Sequence, residues 1–98
     1  MTAASNDEAA RIANMLVESR LAACVQILPQ IESVYRWKGS IERASEVLLI
    51  AKTERRKFEE LEQRVRAIHS YATPEIVAVS TAAVSSPYLE WLTTNVGD

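Results

Sequence analysis

The chain has 98 residues, 48% of them apolar and 24% charged, and carries a formal net charge of −2. A single domain of this length buries roughly 60–70% of its unfolded surface, and the acidic balance excludes a general affinity for a phosphate backbone. One cysteine, Cys24, excludes an intramolecular disulfide, and no apolar run approaches the roughly 18 residues of a membrane span.

The first element is a helix in "SNDEAARIANMLVESRL". Ser5 and Glu8 have capping-box spacing, in which each side chain satisfies the other residue's free N–H. Ala9, Ile12, Ala13, Leu16 and Val17 follow the i, i+3, i+4, i+7, i+8 rhythm of one buried stripe. "AACVQILPQIESVYRW" is rich in β-branched residues and reads as a long strand, with Pro29 marking a bend or an unpaired edge position. "KGSIE" reads as a hairpin turn in which Gly39 takes backbone angles other residues avoid, and "SEVLLIAKT" is the return strand. Thr53 is placed to cap a second helix with Phe58, Leu61, Val65 and Ile68 as its stripe. "TPEIVAVST" predicts a further strand. "SSPYLEWLTTNV" predicts a short final helix with Ser86 as cap and Pro87 in its first turn.

The order α-β-β-α-β-α over residues 1–98 predicts one α+β domain, a ferredoxin-like split β-α-β sandwich with a long hairpin and a short C-terminal helix. That architecture requires a central strand before the first helix. Only "MTAA" precedes Ser5, about 13 Å of extended chain, so the first strand is expected to be truncated. Helices in such a sandwich cover one sheet face, and the other should be polar. Instead Val47, Leu49 and Ala51 alternate with Leu48 and Ile50. Ala23, Val25 and Ile27 likewise oppose Ala22, Cys24 and Leu28, and Ile76 and Ala78 oppose Val77 and Val79. Both faces are greasy, so a second cover is needed, and another copy of the chain is expected to supply it.

"SVYRWKG" interleaves Tyr35 and Trp37 with Arg36 and Lys38. Nucleic-acid binding is one use of that pattern, but the chain is acidic and has no second basic stripe, so the aromatics are expected to pack on a neighbouring subunit. His69 is the only histidine, and no His/Cys pair has metal-site spacing. Grouping His69 with Glu75, Tyr71 and Lys52 gives a conceivable acid–base set. No nucleophile elbow, P-loop or dinucleotide fingerprint accompanies it, and no enzyme is expected.

The blocks "RLAACVQILPQIESVYRWKGSIERASEVLLIAKT", "HSYATPEIVAVS" and "YLEWL" closely resemble the CutA divalent-cation-tolerance proteins, over about Asp7 to Trp91. The resemblance implies a ferredoxin-like fold, a cytoplasmic location and a homotrimer whose architecture is like that of PII signal proteins. It also implies a part in tolerance of divalent metals, copper foremost, through weak binding at intersubunit clefts. The family's cleft cluster falls on Tyr35, Trp37, Lys52, Tyr71, Tyr88 and Trp91, with His69 as metal-ligand candidate and Glu75 as assisting carboxylate. No cofactor is obligatory; a divalent ion such as copper is the expected optional one. Partners are the chain itself and the metal, not nucleic acid or membrane. Three departures stand out. Ile68-His69-Ser70-Tyr71 replaces the usual His-His-Pro-Tyr, Gly39-Ser40 replaces Gly-Lys, and Met1 stands near where some relatives carry a first-strand thiol. The alternative is a trimeric scaffold or PII-like small-ligand sensor with no dedicated metal role.

Overall fold

The computed structural model describes residues 1–98. Ser5 caps the first helix, α1 (Asn6–Glu18), with extended backbone and its Oγ accepting the Glu8 N–H at 3.1 Å. The return half of the capping box differs from expectation. The Glu8 carboxylate reaches past the cap to the Ala4 N–H at 2.9 Å and is shared with the distant Ser70, whose N–H donates at 2.7 Å. Ala9, Ile12, Ala13 and Leu16 are buried, while Val17 lies outside the stripe and is exposed. The helix stops at Arg20, which takes a left-handed φ of 60°, so that the Leu21 and Ala22 N–H groups both return to the Leu16 carbonyl.

Three antiparallel strands follow the order β1-β3-β2: β1 (Thr2–Ala3), β2 (Cys24–Trp37) and β3 (Ser40–Lys52). The first strand is as short as expected and pairs only with Leu48 and Val47. Lys38 (φ 48°) and Gly39 (φ 83°) make a two-residue turn with positive φ at both positions, the twist that matches the flanking strands. A Cβ on Gly39 would touch nothing within 4 Å, so the glycine serves the backbone angle and not a tight space. Pro29 lies where a bend was expected. The pairing passes from Leu28↔Leu48 to Ile31↔Glu46, leaving Pro29 and Gln30 (φ 65°) as a bulge.

Three expectations are corrected. Thr53 does not cap a helix; its Oγ1 donates to the Leu21 carbonyl at 2.6 Å, and α2 (Phe58–Ile68) follows a single 3-10 turn at Arg55–Lys57. The last helix, α3 (Ser86–Asn95), is capped one residue earlier than expected, by Ser85. Residues 73–81 form no ladder. In the split β-α-β topology their partner is the first strand, and Thr2 and Ala3 are too few to template it. Ile76 still packs on the core, whereas Val79 is 86% exposed.

The core joins α1 and α2 to one sheet face through Ile12, Leu16, Leu21, Leu49, Leu61 and Val65. On the opposite face Leu28 and Ile50 are exposed. The third helix does not cover them; its Leu92 is buried in a small separate cluster with Ala23 and Val96. From Ile31 to Glu46 the hairpin runs beyond its own domain as an arm, and the molecule measures 45 Å along its longest axis.

Candidate functional site

Cross-strand register sorts the arm into two faces. Ile31, Ser33, Tyr35 and Trp37 oppose Glu46, Ala44, Glu42 and Ser40, and directly opposed residues share a face. Glu46 alternates with buried Val47, so this is the face without helices. Glu32, Val34 and Arg36 oppose Ser45, Arg43 and Ile41 on the reverse, where Arg43 pairs with Glu32. The aromatic face therefore bears carboxylates, and the reverse bears the arm's arginines.

Against the aromatic face lies the chain that leaves α2. A cleft of about 520 Å³ opens there, lined by Tyr35, Trp37, Glu46, Tyr71, Thr73 and Glu75, with Thr2, Ser33, Val34 and Ala72 completing it. Tyr71 donates its hydroxyl to Glu46 Oε2 at 2.9 Å. Burial, then the hydrogen bond to Glu46 and its charge, push the Tyr71 pKa up to about 12. Glu75 is exposed at the cleft, and its charge reaches the Met1 α-amino group.

His69 holds this loop in place. Its side chain is 1% exposed. Nδ1 accepts the Tyr71 N–H at 3.0 Å and Nε2 lies 2.9 Å from the Thr2 carbonyl. An acceptor Nδ1 puts the proton on Nε2, which then donates to Thr2: the neutral ring joins β1 to the end of α2. Glu8 Oε2 stands 4.0 Å from Nδ1. Burial alone would raise the Glu8 carboxyl, but hydrogen bonds from Ala4 and Ser70 outweigh it and hold its pKa below the ordinary value.

The eight residues singled out from sequence separate into two groups. Tyr35, Trp37, Tyr71 and Glu75 meet at the arm's cleft, with His69 directly behind Tyr71. Lys52 is at the other end of β3, opposite Cys24, where it donates to Gln26 Oε1. Tyr88 and Trp91 pack with tilted rings, centroids 5.5 Å apart, on α3, whose Leu92 meets Ala23 at that same end. About a dozen residues of strand, some 40 Å at the usual rise, separate Trp37 from Lys52 within one chain. Sequence reasoning missed Glu8, Ser70, Thr2 and Glu46. Glu8 was legible as a cap; Glu46, an acid abutting the apolar run "VLLIA", was the available signal for the last.

The model of the family described as CutA1 divalent ion tolerance protein matches residues 1–95. The chain belongs to this family. The divalent-cation tolerance protein CutA of Thermus thermophilus is 46% identical over 97 residues, covering 99% of this chain and 94% of that one. The solved structure of that organism's protein superposes with a TM-score of 0.95, covering 98% and 93% of the two chains. The chloroplastic CutA of Arabidopsis thaliana is 44% identical over 94% of this chain, which spans 50% of the plant protein. A CutA structure from Archaeoglobus fulgidus, described as periplasmic, has a TM-score of 0.95 at 45% identity, covering 98% and 93%. CutA relatives thus occur in more than one compartment. No helix of this chain is long and apolar enough to cross a membrane. The family is named for tolerance of divalent ions and not for a reaction.

Proposed function

We propose that this CutA-family chain works as a non-catalytic cytoplasmic homotrimer in tolerance of divalent metal ions, copper foremost, with weak binding at clefts completed by a neighbouring subunit. The observation that supports assembly is the division of the site. Five of the eight candidate residues gather at or behind the arm's cleft and three at the opposite end of the chain, with the apolar face between them exposed. Only a second copy can bring Lys52, Tyr88 and Trp91 to another chain's Tyr35 and Trp37. Weak metal affinity follows from the same geometry. Glu75 is free to ligate, but His69 must first release Thr2 or Tyr71, and that exchange subtracts from binding. The free thiol of Cys24 suits a reducing compartment.

A second reading has its own support. With both ring nitrogens of His69 engaged, no three His, Cys, Asp or Glu residues converge within the chain. The cleft then serves a small ligand, and metal uptake is incidental. Calorimetry with copper(II) on tag-free protein separates the two. Saturable binding that weakens in both His69→Asn and Glu75→Gln supports the metal role; copper uptake indifferent to both supports the ligand role.

A further inference from the structure

The last helix has few means of holding itself in place. A helix of ten residues is marginal in water on its own, and α3 lacks the usual local aids. Ser85 makes no side-chain bond to its first turn, no acid stands there, and its last turn holds no basic residue of its own. Leu92 is its one buried side chain, and residues 73–85, which lead into it, form neither strand nor helix.

The cations that α3 lacks come from the body of the domain. The Arg20 guanidinium donates to the Thr94 carbonyl at 2.6 Å, in the last turn, where a helix has no partner of its own to offer. Past the helix the backbone is extended at Val96, whose side chain is buried with Ala23 and Leu92. The Gly97 N–H then returns to the Arg20 carbonyl at 2.9 Å. Arg56 donates to the Gly97 carbonyl at 2.6 Å, and Lys57 Nζ to that of Asp98 at 3.0 Å. Arg20, whose left-handed backbone ends α1, therefore grips both the helix and the segment after it. All these contacts lie within one chain, and Val96 and Lys57 are already buried there, so none depends on what a neighbour covers.

We propose that Arg20, Arg56 and Lys57 clamp residues 96–98, fix the pose of α3, and so act as positioning residues that place Tyr88 and Trp91 at the seam with a neighbouring subunit. Tyr88 and Trp91 are three residues apart on one face of α3, with ring centroids 5.5 Å apart. A helix free to tilt about Leu92 carries both rings away together. The seam rests on the homotrimer reading; the hold on α3 does not.

The test pairs amide exchange with light scattering over a dilution series, on the full chain. Arg56→Ala, at an exposed position, should quicken exchange severalfold in α3 and leave α1 as in the parent. Adding Lys57→Met, which keeps an apolar stem, should bring the gain to at least about tenfold and raise the concentration of half-dissociation about tenfold. Arg56→Lys keeps a donor for the Gly97 carbonyl and should restore both readouts. Glu54→Gln breaks the Arg56–Glu54 pair without touching residues 96–98 and should change neither. The proposal is overturned by equal quickening in α1 and α3, by unchanged exchange in α3, or by a failure of Arg56→Lys to rescue. A trimer whose dissociation ignores the double variant would defeat the positioning role and leave assembly standing. A parent of single-chain mass would defeat assembly and the seam with it, while selective quickening of α3 would uphold the clamp.

Discussion

Glu8 is buried and Tyr71 half-buried, both have partners far off in sequence, and each makes a prediction of its own. The Glu8 side chain is 4% exposed and receives hydrogen bonds from Ala4 and from Ser70, 62 positions away. Its folded pKa is lowered, so the folded state holds that proton less tightly than the unfolded chain does. The stabilisation is therefore complete above the ordinary value of 4.5 and disappears as pH falls through the folded value. Glu8→Gln should lose about 1–3 kcal/mol at neutral pH by urea denaturation, with a shallower acid limb than the parent. A variant with the same acid limb would show that Glu8 carries no linkage. Tyr71 has the opposite sense. Its raised pKa contributes stability that is whole below the ordinary phenol value of 10.0 and is lost as pH rises toward about 12. Ultraviolet titration should find one of the three tyrosines ionising late, and Tyr71→Phe should remove that late step while leaving the other two. His69 was singled out as a ligand candidate through the resemblance to the CutA family. What that resemblance could not convey is that Thr2 and Tyr71 occupy both of its nitrogens, since those contacts depend on tertiary packing.

Among the elements, those whose signals are local were legible. The Ser5 cap, the Ala9–Leu16 stripe, the bend at Pro29 and the Lys38-Gly39 turn all follow from short-range sterics and periodicity. Elements that depend on distant partners were not. "TPEIVAVST" has every β-forming residue it needs, yet a strand exists only when another strand pairs with it, and β1 supplies two residues. Thr53 has the right side chain for a cap, but the Leu21 carbonyl claims it first. The cleft was half legible. Alternation placed Tyr35 and Trp37 on one face, whereas Glu46 entered it only through the register of a hairpin shifted by the bulge. The arm also supports a prediction. Gly39→Ala places a Cβ at φ 83°, which costs about 1 kcal/mol. Because the turn stands far from the core, amide exchange should quicken at residues 33–45 while α1 keeps its protection. Equal loss of protection in α1 would mean that arm and core unfold as one unit.

At the scale of the whole molecule, the fate of the helix-free face decides how the chain exists in solution. Ile50 is 48% exposed there, close to exposed Leu28 and across β3 from buried Leu49. In an isolated subunit Ile50→Lys would be nearly silent, because a half-exposed lysine stem still lies along the sheet with its ammonium in water and surface substitutions stay within about 0.5 kcal/mol. In a homotrimer closed over that face the same change buries an unpaired ammonium at each seam, which removes several kcal/mol per subunit. Light scattering of the parent should then give about three times 10.9 kDa at micromolar concentration, and Ile50→Lys should shift the mass toward a single chain. Arg36→Ala, an exposed change on the reverse of the arm, serves as the control for altered charge. A parent protein of single-chain mass whose Ile50→Lys variant melts at the same temperature would show that water, and not a second copy, covers this surface. The divided site would then have no means of closing, and Lys52, Tyr88 and Trp91 would have no part in the cleft at Tyr35 and Trp37.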